Sequence, residues 1–408
     1  MSRNLLLGFL WLLTLNLPHV LATLLAIDYG TEWTKASLLK PGVPLDVLLD
    51  KDSRRKIRSS VAWENDDRLF GSDAYNLVSH HQTASRRLLV TSFAQSSRFP
   101  TDSFNLLKYL QGVPFDSEAI SYYATLSAAD TVRSSRDTIS LRRSDGTEWS
   151  VEELIAMQFS YVKELAESVA GEEVTDVVVT VPPFYTQAER DAVVDAIEIA
   201  GLRTLSLIND GTAVAVNYAM TRTFPEQEIH IIYDAGASAI RTTLVEFSTI
   251  ESTGKGKTKP YTQVKVLSSG FDRRSGGAEL DRRLLKVLVE DFMNKYQVDI
   301  TKDKRAMSKF RMEANKLKAI LSTNKEAVFT VCKPPCNAPR PTTESVQIEG
   351  AFKGIDYRGK IKRSQFEDAS GDLSGRFAIP LYTCLVKAGL SFVRFQPTRR
   401  RSPTHLIL

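Results

Sequence analysis

From Thr23 to about Leu69 the apolar residues fall in short runs, LLAIDYG, TKASLLK, LDVLLD and SSVAWE. The Gly/Pro cluster at 41–44 and the charged stretch KDSRRKIR separate them. Runs of this length between turn residues predict strands, and four in succession predict a β-meander. Further along, the period lengthens. In SVEELIAMQFSYVKELAESVAG (150–171), Val151, Leu154, Ile155, Val162, Leu165, Ala166 and Val169 recur on one helical face. Ser150 with Glu153 makes a capping box, and Gly171 suits the C-terminal stop. DVVVTVPPF then reads as a strand buried on both faces. A helix with its own capping box, Thr186 and Glu189, spans 186–201, followed by the short strand LSLIND (205–210) and the helix TAVAVNYAM. Strand, helix, strand, helix predicts an α/β domain with a mainly parallel sheet.

One pattern occurs twice. In LLAIDYGTEWTKASLL (24–39) an apolar run ends in Asp28, turns at Gly30 and Thr31, and resumes. IHIIYDAGASAIRTTLVEF (229–247) repeats it with Asp234 and Gly236, 206 residues further on. Two αβ lobes, each opening on an Asp-x-Gly hairpin, predict a duplicated fold with a site between the lobes. A tight turn containing Gly aims backbone N–H groups at one spot, a concavity that accepts phosphate oxygens. A carboxylate ending the incoming strand can hold the waters of a Mg²⁺ that bridges phosphates. The competing reading is local: Asp28 starts the turn, and Gly30 supplies its backbone angles.

The chain has 408 residues, 43% hydrophobic and 25% charged, a globular composition with room for two or three domains. Its net charge of +5 is small and the signs are interspersed, which argues against nucleic acid as a partner. The stretch RFQPTRRRSP (394–403) reads as a solvated tail. Residues 1–22 have the form of a signal peptide, with Arg3, the apolar run 5–17 and a cleavage site at Val20-Leu21-Ala22. The mature chain is therefore expected to start near Thr23 in the secretory pathway, with no membrane span after signal removal. Cys332 and Cys336 in CKPPC leave zinc, a local disulfide and unpaired thiols all open, as does Cys384 for pairing. No N-x-[ST] sequon occurs.

Several segments in order resemble the 70-kDa heat-shock protein (DnaK-type) family of the actin-like ATPase superfamily. LLAIDYGTEWTKASL is similar to its first phosphate loop. VVVTVPPFYTQAERDAVVDAIEIAGLRTLSLINDGTAVAVNYAM (177–220) resembles its signature, and FDRRSGGAELDRRLLKVLVEDF (271–292) its G-G-x-x-x-D segment. EANKLKAILSTNKEAVFTV (313–331) is similar to the helix lining the adenosine pocket. With the signal peptide, the sequence looks closest to the large endoplasmic-reticulum branch, the hypoxia-up-regulated relatives. The resemblance implies an α/β, actin-like ATPase fold, two αβ lobes around a nucleotide cleft. Its parts would be a signal peptide (1–22), lobe I (23–220), an incomplete lobe II (221–392) and an aberrant or disordered tail (393–408). PLYTCLVKAGLSF (380–392) resembles the helix before a G-G-x-x-R loop, which does not follow here, and the expectation is of a cut-short gene model.

Carried over residue by residue, the resemblance implies ATP or ADP with Mg²⁺ as cofactors. Asp28 and Asp234 would hold the metal's water shell, and Gly30, Thr31 and Gly236 would present backbone to phosphate. Lys108 would orient the attacking water, and Asp210 stands where the family has Glu near the metal waters. Gly276, Gly277 and Glu279 fall in the nucleotide-facing turn, and Lys318 and Ser322 would contact adenosine. The second loop departs from the family's Asp-Leu-Gly-Gly-Gly-Thr-Phe-Asp, reading Asp234-Ala235-Gly236-Ala237-Ser238-Ala239-Ile240-Arg241, and Asn315 replaces an adenosine-side Glu. Added Cβ atoms, a lost hydroxyl and a cation in place of a carboxylate predict slow or absent hydrolysis. The implied function is a lumenal chaperone assisting unfolded clients and exchanging nucleotide on the major lumenal heat-shock chaperone. The alternatives are an actin-like metabolite kinase and a non-catalytic binding fragment.

Overall fold

The computed structural model describes residues 23–76, 100–254, 257–331, 346–348, 352, 355, 357–391 and 406–407. The first hairpin follows from its alternation. Strand Leu24–Tyr29 buries Leu25, Ile27 and Tyr29 and runs antiparallel to Trp33–Leu39, with Asp28 opposite Lys35. The same strand pairs in parallel with Asp176–Val181, which pairs in parallel with Arg203–Asn209. Parallel neighbours need a crossover, and between the last two it is helix Gln187–Ile199, packed on helix Val151–Ala170. Both capping boxes form. Ser150 N–H donates to Glu153 Oε2 at 2.8 Å and Thr186 N–H to Glu189 Oε2 at 2.7 Å. Gly171 ends its helix at a φ of 67°, in the left-handed region.

Two local expectations are corrected. LDVLLD makes one bridge, Ser37 with Val47, and no strand. Pro44 has no N–H to continue a ladder, and the Asp50 carboxylate pulls the chain into a turn by accepting from Asp52 N–H and Arg54 N–H. Val169 is exposed although it shares the apolar face of its helix. The last turn overhangs the core, where Ala166 and Ala170 stay covered and Val169 does not.

Beyond Met220 a second sheet forms from Glu228–Ala235, Ile240–Gly254 and Lys257–Asp272, all antiparallel, with Asp234 opposite Arg241. Helix Ile379–Lys387 covers it so closely that a Cβ on Gly270 would overlap Pro380 O. Leu406–Ile407 pairs in parallel with Ile231 and Ile232. These two residues fall in the stretch 393–408 expected to be an aberrant or disordered tail, and they lie on the open edge of Glu228–Ala235. Helices Gly277–Tyr296 and Lys304–Thr323 pack on each other and on a small sheet of Glu326–Val331, Val346–Ile348 and Tyr357–Lys362. The adenosine-side segment is thus helix to Thr323 and strand from Glu326. Its β-branched AVFTV end joins a sheet instead of prolonging the helix. Tyr357 holds this core together, with the rings of Phe292, Phe310 and Phe329 at 5.2, 5.7 and 5.0 Å.

The buried residues separate into two lobes. Leu25, Ile27, Phe104, Phe159, Val179 and Ile197 belong to one cluster, and Leu284, Phe292, Phe310, Leu317 and Tyr357 to another. Helix Asp210–Met220 contacts both the first and the second sheet. Its Ala215 is buried with Phe224 of the following connection and with Ile232, Val245 and Phe247 of the second sheet. A boundary drawn after 220 therefore leaves in lobe I a helix that packs on lobe II. The leader expected at 1–22, Cys332, Cys336 and residues 393–405 lie outside the described residues. Cys384 is buried and free, 3.1 Å from Ser268 Oγ. No helix among the described residues is long and apolar enough to cross a membrane.

Candidate functional site

The two Asp-x-Gly hairpins face each other across the lobes and touch at their tips, where Thr31 Oγ1 lies 2.7 Å from Ser238 Oγ. Each turn closes the same way. Gly30 N–H donates to Trp33 O at 3.1 Å, and Gly236 N–H donates to Ala239 O at 3.0 Å. A Cβ on Gly30 would overlap Trp33 O, so this position accepts glycine alone. The Gly276–Gly277 turn lies against the second hairpin, with Gly277 N–H donating to Gly236 O at 3.0 Å and Ala278 N–H to Ala237 O at 2.8 Å. A Cβ on Gly276 would overlap Ala237.

The carboxylates behind the tips are each engaged by a cation. Asp28 accepts from Lys35 Nζ at 2.9 Å and from Thr180 Oγ1 at 2.8 Å. Burial works to raise its pKa, but Lys35 and Thr180 outweigh burial and hold the carboxyl below its ordinary value. Arg241 reaches two carboxylates at once, donating through Nη1 to Asp210 and through Nη2 to Asp234. Asp210 is pushed up by burial, against the pull of Arg241 and Lys108. Lys108 donates to Tyr29 O behind the first hairpin. Burial brings it down to about 8, with Arg241 adding to the fall and Asp210 and Asp28 opposing it.

The side chains present do not fit a divalent cation. Asp28, Asp210 and Asp234 face Lys35, Lys108 and Arg241, three negative charges beside three positive ones. Bringing a divalent ion within ~4 Å of the guanidinium would cost on the order of 8 kcal/mol at an effective dielectric near 20. Asp28 and Asp234, expected to hold a metal's water shell, here contact Lys35 and Arg241 directly. The hairpin registers made this legible in part, since each aspartate stands opposite a basic residue seven positions on. Thr180 and the bridge to Asp210 come from distant chain and had no local signal.

On the second lobe, Lys318 donates to Gly277 O at 3.1 Å and to Asp281 Oδ2 at 2.7 Å, and Asn315 donates to the same carboxylate oxygen at 3.0 Å. Ser322 is exposed and donates to its own helix at Ala319 O. Glu279 is buried, and its carboxylate accepts from Arg282, Arg283 and Tyr122 instead of facing an open turn. Burial would raise it, and the two arginines hold it below its ordinary value. Their spacing, three and four residues on, was readable in advance. Further contacts tie the lobes: Arg273 to Glu189 at 2.9 Å, and Arg274 to Glu118 at 2.9 Å. Beside Thr31, between the lobes, is a cavity of about 100 Å³ lined by residues including Glu32, Tyr75, Asp281, Arg311 and Asn315. Ligand pockets run to ~300–1,000 Å³, and this cavity is smaller; of the residues expected to hold nucleotide, only Thr31 lines it.

Two αβ lobes with paired hairpins at the cleft define an actin-like ATPase domain. Residues 24–395 match the family model described as Hsp70 protein, and the chain belongs to the Hsp70 family. Similar proteins include the heat shock protein 70 homolog lhs1 of Schizosaccharomyces pombe, 35% identical over 376 residues, 91% of this chain and 40% of that protein. Hypoxia up-regulated protein 1 of Xenopus laevis is 33% identical over 374 residues, 89% of this chain and 52% of its own length. The Homo sapiens protein of that name is 30% identical over 389 residues, 92% and 35%. The chain falls in the branch that holds these proteins and spans about half their length or less.

Proposed function

We propose that this chain is the nucleotide-binding part of a chaperone of the endoplasmic reticulum lumen, assisting unfolded clients. It uses ATP as a conformational ligand with slow or absent hydrolysis, and it promotes nucleotide exchange on the major lumenal Hsp70. The observation that carries this reading is the pair of glycine turns facing each other from two lobes, with Lys108 behind the first and Gly276–Gly277 against the second. Similarity to lhs1 and hypoxia up-regulated protein 1 supports the chaperone class and the compartment. A ligand held between turns of two lobes couples its binding to the relative position of the lobes. The test is the release of labelled ADP from the lumenal Hsp70. This protein in excess is expected to speed release several-fold, and an unchanged rate would remove the exchange role. One observation favours a second reading, a binding fragment that holds no nucleotide: the Thr31–Ser238 contact fills the gap between the tips.

A further inference from the structure

We propose that Arg241 is the resident cation of the cleft, its guanidinium standing in for a divalent ion between Asp210 and Asp234, so that this cleft is metal-independent. Arg241 sits on the outgoing strand of the second hairpin, directly opposite Asp234 in the ladder. From there it spans to Asp210 at the start of helix Asp210–Met220. Its two terminal nitrogens each serve a different carboxylate, so one side chain satisfies the pair that would otherwise repel. The Arg241 side chain is only 18% exposed. Gly236 gives it room, because a Cβ there would come within 3.2 Å of Arg241 Nη2. The first hairpin repeats the device with Lys35 on Asp28, also seven residues on. Both hairpins thus carry their counter-ion in the chain, and Arg241 additionally fastens the helix to the second sheet.

The inference rests on the nucleotide reading only in its second arm. In the first, thermal melts of the full chain without nucleotide are run in EDTA and in millimolar Mg²⁺. The native protein is expected to melt at one temperature in both. Arg241→Ala is expected to melt several degrees lower in EDTA and to recover in Mg²⁺, because the two freed carboxylates then take the ion. An Arg241→Ala protein that melts like the native chain, or that Mg²⁺ does not rescue, overturns the proposal. Should Arg241→Ala fail to fold, direct Mn²⁺ binding to the native protein, read by paramagnetic resonance, decides: no bound ion is expected, and a stoichiometric one overturns it. In the second arm, the native protein is expected to bind ADP equally in EDTA and in Mg²⁺, and affinity roughly tenfold tighter in Mg²⁺ contradicts it. Absence of ADP binding in both would count against the proposed function alone, since the first arm still reads Arg241.

Discussion

A single round of ATP cleavage by this protein is expected to run ~100-fold or more slower than in a lumenal Hsp70 with the full second loop. Phosphoryl transfer needs little covalent help from the protein and depends on placed donors and charge, and losing one such donor costs ~10²–10³ in rate. Here Ala239 removes a hydroxyl, Ser238 puts a side chain where the family has glycine, and Arg241 places a cation on Asp210 and Asp234. Rapid-quench measurement of labelled ATP, enzyme in excess, reads the step directly. Restoring Ala239→Thr alone is expected to leave the rate low, since Arg241 still ties the carboxylates. Cleavage as fast as the standard lumenal protein contradicts the account of the second loop.

Glu313→Gln is expected to stabilise the protein by ~2–3 kcal/mol at pH 8 and to change little at pH 4.5. The Glu313 side chain is 1% exposed, on helix Lys304–Thr323. Neither of its oxygens has a hydrogen-bond partner among the described residues, and Lys316 Nζ stands 3.9 Å away. Burial pushes its pKa up to about 7, with Lys316 only partly opposing. A carboxyl raised in the folded state binds its proton more tightly there than in the unfolded chain. Its contribution is therefore fully present below the unfolded value of 4.5 and is lost as pH rises through 7. The amide removes that loss. Urea melts of both proteins across this range give the difference, and parallel pH profiles would contradict it.

What the sequence made legible was what neighbours decide. The capping boxes at Ser150 and Thr186 rest on three-residue spacings, and the two hairpins on alternation around a glycine, so both could be placed without tertiary information. The buried strand at 176–181 followed from its β-branched run. What stayed hidden was set by distant chain. LDVLLD has strand composition, yet Pro44 and the Asp50 turn hold it to a single bridge. Ala215 turns helix Asp210–Met220 toward the second lobe, which no periodicity announces. In the site, Arg241 was visible as an odd residue in a phosphate loop. That it spans two carboxylates, one from the signature helix and one from the second sheet, emerges only when those two elements pack together. Glu279 shows the converse, since its two arginines at i+3 and i+4 are set by helical spacing alone.

The most direct test of the central claim, that the paired glycine turns hold a nucleotide, is a thermal melt of the full chain with and without ADP. A ligand that binds only the folded state stabilises it by ~2.7 kcal/mol at a hundred times its dissociation constant. The native protein is expected to melt several degrees higher with millimolar ADP. Gly276→Val, whose side chain would overlap Ala237 in the turn, is expected to lose that shift. A native protein whose melting temperature ignores ADP up to millimolar concentration would contradict the nucleotide reading and leave the fold as a binding scaffold.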